Sequence, residues 1–298
     1  MYDVVIIGAG PAGLSAGIYA CRGGLKVAII ENKSVGGQAQ TAADIQNYPG
    51  IKSTSGFDLC YAMMNQCMEF GAEFVFDSIA SVSLIGETKA IALASGKTVE
   101  AKNVIIASGA NARKLDVPNE SKFIGKGVSY CATCDGAFFK GKTVAVIGGG
   151  NTAAEDALYL EKLAKKVYMV HRRDALRADD ILVKRLEKSN VEIVWDSVVE
   201  NLGGEDKITQ LTLKNVKTNA LTTISVDGVF VAIGQTPNSQ GFENISLSSG
   251  GYIIADENMH TNIDGVYAVG DVREKSLRQV VTACADGAIA ANAIVNGI

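Results

Sequence analysis

The chain has 298 residues, a hydrophobic fraction of 47% and a formal net charge of −4 at pH 7. This charge excludes a general attraction to nucleic acid or anionic lipid, so any phosphate-binding site must be built locally. No segment reaches the ~18 consecutive apolar residues of a membrane-spanning helix, and the first apolar strand leaves no room for a signal peptide after Met1. We therefore expect a cytoplasmic protein of two domains with a small-molecule site.

The first predicted unit is a strand, a glycine-rich turn, a helix and a second strand, in YDVVIIGAGPAGLSAGIYACRGGLKVAIIEN. Strands are predicted at residues 4–7 and 27–30, with Gly8, Gly10 and Gly13 between them. The first glycine permits a tight turn, the second lets the backbone approach a pyrophosphate, and the third allows close helix–strand packing. Glu31 follows the second strand, where a carboxylate accepts hydrogen bonds from ribose hydroxyls and disfavours a 2′-phosphate. This unit is predicted to bind a dinucleotide.

A C-x-x-C motif, Cys131 and Cys134, comes next in the chain. A zinc site needs further ligands, but there is no second C-x-x-C, and His171 and His260 are the only histidines. A structural disulfide is disfavoured by the reducing cytosol and by the small loop it would close. A reversible redox pair remains, with no metal predicted. The other cysteines are expected to be small buried hydrophobic residues: Cys21, Cys60, Cys67 and Cys284.

The second predicted unit repeats the first at a spacing of 140 residues, Gly8 against Gly148. Strands are predicted at residues 143–147 and 167–170, with Gly148-x-Gly150-x-x-Ala153 after the first of them. The second strand ends on a basic cluster in place of an acid: His171, Arg172, Arg173 and Arg177. Guanidinium groups at this position pair with a 2′-phosphate, so this unit is predicted to prefer NADP over NAD.

Further strands predict that the second unit is inserted into the first. NVIIASGA and GVFVAIGQTPN, at residues 103–110 and 228–238, end each unit in a similar way. DGVYAVGDV, at residues 264–272, then supplies a strand after the second unit is complete, which indicates a return to the first domain. We expect crossings near residues 111–118 and 238–244, and two crossings make a hinge possible.

These motifs carry a resemblance over essentially the whole chain. The chain resembles the low-molecular-weight, bacterial-type NADPH-dependent thioredoxin reductases in the following motifs: GAGPAG, GGQ, NYPG, CATCDG, GGGNTAAE, HRRDALR, VAIGQTPN and GDV followed by RQ. The resemblance implies an α/β fold of two Rossmann-like domains, of the class II pyridine nucleotide-disulfide oxidoreductases, with the NADPH domain inserted into the FAD domain. The implied domains are residues 1–113 and 242–298 for FAD and residues 114–241 for NADPH and the redox C-x-x-C. It also implies a homodimer that carries electrons from NADPH to thioredoxin.

The same resemblance implies site residues for both cofactors. FAD is expected at Gly8, Gly10, Pro11, Ala12, Glu31, Gly37, Gln38, Asn47, Gly270, Asp271, Arg278 and Gln279. NADPH is expected at Gly150, Asn151, Thr152, Ala153, His171, Arg172, Arg173 and Arg177. Asp44 and Gln46 stand where the family commonly has glutamates, which affects the local flavin contacts more than the assignment.

The mechanism implied by the resemblance begins with hydride transfer from NADPH to flavin N5. The reduced flavin then attacks Cys134, and Cys131 exchanges with the disulfide of the partner. Asp135 is expected to act as general acid or base, although a turn or cap role would suit it equally. Because nicotinamide and disulfide compete for the flavin, rotation of the NADPH domain is expected, as the family is known for it. Of Phe138 and Phe139, one could be exposed to dock a partner, but core packing is the more common fate of such a pair.

Several alternative functions remain open at this point. A related enzyme could serve another disulfide protein, of the glutaredoxin or peroxiredoxin systems, although the peroxide-linked relatives carry an additional N-terminal region. A ferredoxin-linked flavoprotein is disfavoured by the intact nucleotide motifs, and a ferredoxin-NADP reductase by the CATCDG motif. A non-enzymatic redox sensor belongs to a different class, and turnover with NADPH would distinguish it.

Overall fold

The computed structural model describes residues 1–42 and 44–297, and the chain divides into two compact units. Unit 1 comprises Met1–Asn111 and the chain from Thr236 onward, and unit 2 is Ala112–Gln235. The return from unit 2 to unit 1 thus occurs earlier in the chain than the predicted boundary at residue 241. Short strands at the two crossings, β7 (Ala110–Ala112) and β16 (Gln235–Pro237), pair with each other.

Strands and helices alternate at the start of each unit, and runs of consecutive strands follow at β3 to β7 (residues 73–112) and β11 to β17 (residues 192–268). The α-helices are α1 (Pro11–Arg22), α2 (Gly56–Glu69), α3 (Glu120–Phe123), α4 (Ala132–Asp135), α5 (Asn151–Glu161), α6 (Asp180–Glu187) and α7 (Val280–Asn296). The strands are β1 (Tyr2–Ile7), β2 (Val27–Glu31), β3 (Glu73–Phe76), β4 (Ile79–Ser83), β5 (Lys89–Leu93), β6 (Thr98–Ile106), β7 (Ala110–Ala112), β8 (Val128–Ser129), β9 (Thr143–Ile147), β10 (Lys166–Val170), β11 (Glu192–Val194), β12 (Ser197–Gly204), β13 (Ile208–Asn215), β14 (Leu221–Ser225), β15 (Gly228–Val231), β16 (Gln235–Pro237) and β17 (Val266–Ala268). Short 3₁₀ turns lie at Ala39–Thr41, Gly136–Phe139 and Gly270–Val272.

Unit 1 is built on a seven-stranded sheet in the order β3-β2-β1-β6-β5-β4, with β17 also paired to β6. The strands β3, β2, β1, β6 and β17 run parallel, whereas β5 and β4 continue from β6 as an antiparallel meander. The pairing of β17 with β6 brings the C-terminal segment back to the sheet that the N-terminal residues begin. This is the return that the surplus strand predicted.

Both faces of the unit 1 sheet are covered, because successive side chains of a strand point to opposite faces. Val4 and Ile6 lie in one buried cluster with residues of α1, α2 and α7. Val5 and Ile7 lie in a second cluster with residues of β5, β6 and the C-terminal segment. The continuous apolar run in β1 is therefore explained by the burial of this strand on both faces of the sheet.

Unit 2 contains a five-stranded parallel sheet in the order β11-β10-β9-β15-β8. Its central strand β9 again divides its side chains between two clusters, with Val144 and Val146 in one and Ala145 and Ile147 in the other. The second cluster is completed by a three-stranded antiparallel sheet, β12-β13-β14. Each unit thus contains a set of parallel strands, with a glycine-rich turn at the carboxyl end of its first long strand.

No helix within residues 1–42 and 44–297 is long and apolar enough to cross a membrane.

Candidate functional site

In unit 1, the glycine-rich turn between β1 and α1 has a different physical requirement at each glycine. Gly8 has φ +107°, and a Cβ there would lie 2.5 Å from the Ala107 carbonyl oxygen. A Cβ at Gly13 would lie 2.0 Å from the Gly8 carbonyl oxygen, so this glycine allows α1 to pack on the turn. Apart from its own chain neighbours, a Cβ at Gly10 would have no atom of the described residues within 4 Å. The space above Gly10 is where a ligand can approach the start of α1.

The residues that follow Gly10 shape the same opening. Pro11 stands in the first turn of α1, where its missing N–H costs nothing, and Ala12 is buried. Gly37 has φ +54°, and a Cβ there would come within 3.5 Å of the Gly10 Cα. The Gln38 amide nitrogen donates to the Ala110 carbonyl. The segment around residue 37 therefore lies beside the turn and leaves it uncovered.

Glu31 lies at the end of β2, beside this turn. One carboxylate oxygen accepts from the Ala9 backbone N–H over 2.9 Å, and the other accepts from the Lys33 N–H over 2.9 Å. A carboxylate oxygen can accept more than one hydrogen bond, so Glu31 retains capacity for ribose hydroxyls. Its position at the strand end is the one that the dinucleotide fingerprint requires.

The C-terminal segment brings a 3₁₀ turn, Gly270–Val272, to α1. A Cβ at Gly270, which has φ +73°, would lie 2.8 Å from the Ala12 Cβ. The Gly270 N–H donates to Asp286 Oδ2 over 2.9 Å, and Asp286 is buried on α7. Burial raises the pKa of the neighbouring Asp271 carboxyl, and Arg278 opposes that effect.

Asp286 is the centre of a buried ion cluster. Its carboxylate accepts from Arg273 Nε at 2.9 Å, from Arg273 Nη2 at 3.1 Å and from Lys275 Nζ at 2.7 Å. Burial alone would raise the pKa of Asp286, but the hydrogen bonds from Arg273 and Lys275 outweigh it and hold the pKa below its usual value. The cluster fixes the segment that carries Gly270 and Asp271 against α7.

Two more of the predicted flavin residues, Asn47 and Gln279, meet across 232 positions of sequence. The Asn47 amide nitrogen donates to Gln279 Oε1 over 3.0 Å, and Gln279 caps the N-terminus of α7. The guanidinium of Arg278 lies 4.2 Å from the centre of the Tyr252 ring. Its Nε is buried and has no hydrogen-bond partner among the described residues.

These features fit a bound dinucleotide such as FAD. The opening at Gly10 accepts a phosphate group at a helix N-terminus, and the orphaned Arg278 Nε is a donor that lacks an acceptor. The Glu31 carboxylate can accept hydrogen bonds from ribose hydroxyls. All the predicted flavin residues lie in unit 1.

Unit 2 repeats the turn between β9 and α5. Gly148 packs against Ala232, whose carbonyl oxygen would lie 2.3 Å from a Cβ at this position, and Ala153 replaces the third glycine as a buried residue. A Cβ at Gly150 would likewise meet no atom within 4 Å in the part of the chain that the structure describes, its chain neighbours aside. The turn is therefore open at the same position as in unit 1, and Thr152 is exposed beside it.

Asn151 connects this turn to the next loop. Its Nδ2 donates to Asp179 Oδ2 over 2.8 Å, and the Asp179 N–H returns a hydrogen bond to Asn151 Oδ1 over 2.8 Å. Arg177 donates its backbone N–H to the Gly149 carbonyl. The loop at the end of β10 is thus fixed to the glycine-rich turn by two independent contacts.

The basic residues after β10 have two different environments. His171 is buried against Gly149, and a Cβ added at Gly149 would come within 2.1 Å of the imidazole ring. The His171 Nε2 donates to the Ala175 carbonyl over 3.0 Å. Burial and the nearby Arg173 lower the pKa of His171, so the ring is neutral at pH 7. The structure therefore places His171 beneath the glycine-rich turn of unit 2.

The three arginines of the predicted NADPH site are exposed: Arg172, Arg173 and Arg177. None of them forms an ion pair with another of the described residues. Three cations without counter-charges at the end of the second strand fit a 2′-phosphate.

Cys131 and Cys134 form a disulfide, with a Cα–Cα distance of 5.3 Å. Cys131 precedes α4, and its Sγ accepts from the Cys134 N–H over 3.2 Å. Cys134 is exposed and Cys131 half-buried, so a protein partner can reach the pair. Among the described residues no group of three or more metal-ligating side chains occurs.

The remaining cysteines are free thiols, and the predicted burial holds for two of the four. Cys60 and Cys67 are buried, whereas Cys21 and Cys284 are half-buried. Burial raises the pKa of Cys60 and of Cys284 to about 11 and that of Cys67 to about 12. These thiols are protonated at neutral pH and are poor nucleophiles.

Asp135 is the last residue of α4, and its carboxylate is not a helix cap. Its Oδ2 accepts from the Ser129 hydroxyl over 2.6 Å. The two phenylalanines that follow have separate environments: Phe139 packs edge-on against Phe230 at 5.2 Å, and Phe138 is 44% exposed. Phe139 is therefore packed against the core and Phe138 is the exposed ring of the pair.

Sequence reasoning missed the residues that support the site. Asp286 is the one acid in the otherwise uncharged α7, which was a signal. Ser129, two positions before Cys131, gave no signal, because its partners are known only from the fold.

Two dinucleotide-type turns together with a C-x-x-C disulfide define a disulfide oxidoreductase that uses two nucleotide cofactors. The family model for pyridine nucleotide-disulphide oxidoreductases matches residues 2–287, and the chain belongs to this family. The predicted fold class and the predicted use of FAD and NADPH by an oxidoreductase are thereby confirmed.

Individual relatives are similar over the full chain. A thioredoxin reductase of Peptoclostridium acidaminophilum is 47% identical, with 98% of this chain and 95% of the relative covered. One of Treponema pallidum is 43% identical, with 100% of this chain and 97% of the relative covered. The crystal structure of thioredoxin reductase from Streptococcus pyogenes MGAS5005 matches with a TM-score of 0.93 at 44% identity, covering 99% and 97% of the two chains. The predicted resemblance to thioredoxin reductases is confirmed.

Proposed function

We propose that the protein is a thioredoxin reductase, which transfers two electrons from NADPH to the disulfide of oxidised thioredoxin. The observation that carries this proposal is the partner-accessible Cys131–Cys134 disulfide in a chain with two dinucleotide-type turns. The full-length similarity to thioredoxin reductases supports the choice of substrate. Over one cycle, NADPH, one proton and the substrate disulfide give NADP⁺ and two thiols.

The two units divide the cofactors in this proposal. Unit 1 binds FAD through the Gly10 opening, Glu31 and the C-terminal turn, with Arg278 Nε as a donor that has no acceptor within residues 1–42 and 44–297. Unit 2 binds NADPH through the Gly150 opening and the three unpaired arginines. Bound FAD would accept hydride from NADPH and pass two electrons to the Cys131–Cys134 disulfide.

The two cysteines carry out the thiol–disulfide exchange, and a neighbouring carboxylate carries the protons. Cys134 receives the electrons, and Cys131 attacks the thioredoxin disulfide, in keeping with the roles that the family resemblance implies. The thiolates that leave during exchange must each take up a proton, and Asp135 is the carboxylate proposed to carry it. The exposed ring of Phe138 is available to contact the partner.

The proposal includes a homodimer. Phe57, Tyr61 and Met68 are exposed on one face of α2, at positions four and seven residues apart, and the first two rings stack at 5.8 Å. An exposed apolar stripe of this kind is typical of a protein interface. Tyr61→Asp should convert the dimer to a monomer in analytical ultracentrifugation; a dimer that persists would place the interface elsewhere.

A cytoplasmic location is also part of the proposal. It is supported by the four free thiols, which a reducing compartment maintains.

The deciding experiment is anaerobic NADPH consumption with and without oxidised thioredoxin, while the flavin absorbance is recorded. Sustained consumption that requires thioredoxin supports the proposal. Cys134→Ser should retain flavin reduction by NADPH and lose thioredoxin reduction. If the wild-type flavin is reduced once and no turnover follows, the substrate is another disulfide protein; if NADPH never reduces it, the assignment of the donor is wrong.

A further inference from the structure

The hydroxyl group of Ser129 joins the proposed proton-transfer residue to the backbone of the first cysteine. Ser129 is the last residue of β8 and is only 6% exposed. Its Oγ donates to Asp135 Oδ2 over 2.6 Å and accepts from the Cys131 N–H over 3.1 Å. A third, longer contact reaches the Cys131 carbonyl at 3.3 Å.

Ser129 stands on a strand that is paired into the parallel sheet of unit 2, whereas Asp135 ends a single helical turn. Strand β8 pairs in parallel with the buried β15, where Ser129 is opposite Phe230. Asp135 ends α4, which is only four residues long. A functional side chain is held in its working orientation by the hydrogen bonds of neighbouring residues, so the orientation of the Asp135 carboxylate depends on the serine.

The donor and acceptor roles follow from the two groups. A hydroxyl has one proton, and the short contact commits it to the Asp135 carboxylate, because a charged acceptor forms the stronger hydrogen bond. Among the described residues no other hydrogen bond to this carboxylate is found. One oxygen of Asp135 is therefore anchored, and the other is open to exchange a proton.

We propose that Ser129 is a positioning residue for the proton transfer that accompanies thiol–disulfide exchange. The inference rests on the proposed function. The exchange starts from the Cys131–Cys134 pair after its two-electron reduction by NADPH: the Cys131 thiolate attacks a substrate sulfur, the substrate S–S bond breaks, and the leaving thiolate takes a proton. The Cys134 thiolate then attacks Cys131, the mixed disulfide between Cys131 and the substrate breaks, the Cys131–Cys134 disulfide re-forms, and the second substrate thiolate takes a proton. Ser129 holds Asp135 through Oδ2 so that Oδ1 can carry these protons.

The test compares Ser129→Ala and Ser129→Thr with Asp135→Asn and with the double variant. Loss of one hydrogen bond to a charged group should lower kcat with oxidised thioredoxin about ten-fold in Ser129→Ala. Ser129→Thr keeps the hydroxyl and should stay within about two-fold of the wild type. Asp135→Asn should lose about 100-fold. Hydride transfer from NADPH, measured as single-turnover reduction of the flavin, should be unchanged in every variant.

Two measurements separate positioning from a general structural effect. Ser129→Ala combined with Asp135→Asn should be no slower than Asp135→Asn alone, because the serine acts only through the carboxylate. The pH profile of kcat should change in the same way in Ser129→Ala and in Asp135→Asn. The matched control is Ser197→Ala, which removes an equally buried hydroxyl of unit 2 that donates to the Trp195 carbonyl over 2.8 Å.

The outcomes distinguish this inference from the proposed function. If Asp135→Asn is slow while Ser129→Ala matches the Ser197→Ala control, the serine has no positioning role and the inference fails. Multiplied losses in the double variant, or failure of threonine to restore the rate, would also overturn it. If Asp135→Asn itself reduces thioredoxin at the wild-type rate, the role of Asp135 in the proposed function is wrong.

Discussion

Replacing Asp286 by asparagine should destabilise unit 1 strongly, because it removes the one negative charge that two buried cations share. Asparagine has nearly the same shape and can still accept from the Gly270 N–H. The substitution therefore tests the charge rather than the packing. Arg273 and Lys275 would remain in place without their common partner.

The size of the effect follows from the burial of the three side chains. Those of Asp286 and Lys275 are 6% and 7% exposed, and that of Arg273 is 16% exposed. Removing one partner from a buried ion pair costs about 3–5 kcal/mol, since the remaining charge is left desolvated. For a unit of this size the loss corresponds to a fall in Tm of roughly 6–20 °C.

The assay is urea unfolding of the purified flavoprotein, followed by flavin fluorescence and by circular dichroism. The matched control is Asp3→Asn, which removes the exposed ion pair with Lys102 at 3.0 Å in the same unit. Exposed pairs contribute at most about 1 kcal/mol. The Asp286 variant should also release FAD at a lower urea concentration than the control, because the cluster fixes the turn that carries Gly270.

The pH dependence has a definite sign. The pKa of Asp286 is lowered in the folded protein, so its stabilisation is complete above the unfolded value of about 4 and is lost as the pH falls through the folded value. The difference between wild type and Asp286→Asn should thus be full at neutral pH and should shrink in acid. A loss below about 1 kcal/mol at pH 7, equal to that of the Asp3 control, would refute the reasoning.

Three further predictions follow from the site. Gly10→Ala should fold normally and bind FAD weakly, because the new Cβ enters only the ligand opening, whereas Gly13→Ala should lower Tm, because its Cβ would meet a carbonyl oxygen at 2.0 Å. Differential scanning calorimetry and FAD titration of the apoprotein distinguish the two variants. Equal behaviour of the two variants would contradict the different roles assigned to Gly10 and Gly13. Arg172→Ala with Arg173→Ala should raise KM for NADPH far more than for NADH, and an unchanged ratio of the two would remove these residues from the 2′-phosphate site. Burial raises the pKa of Asp156 to about 7, so Asp156→Asn should stabilise the protein above that pH and have little effect at pH 4. Urea unfolding at both pH values measures this. A difference in free energy of unfolding between variant and wild type that is the same at both pH values would show that burial does not raise the pKa of this carboxyl.

The sequence alone determined the elements whose signals are local. A buried strand, three small residues at fixed spacing and a following helix form one continuous segment, so the turns at Gly8 and Gly148 could be predicted with their strands. Strand β9 has the predicted bounds, and β1, β2 and β10 differ from prediction by one or two residues at an end. The same reasoning explains why Glu31 and the basic cluster could be located, since each follows its strand directly.

Tertiary structure alone decided which side chains meet across long stretches of chain. Asn47 and Gln279 are 232 positions apart, and Asp286 reaches Gly270 only because α7 packs beside α1. Ser129 and Asp135 are close in sequence, but their contact depends on the end of β8 in the parallel sheet. Hydrogen bonds require donor and acceptor within about 3 Å in a favourable direction, and that geometry is fixed by the packing of whole elements rather than by any local pattern.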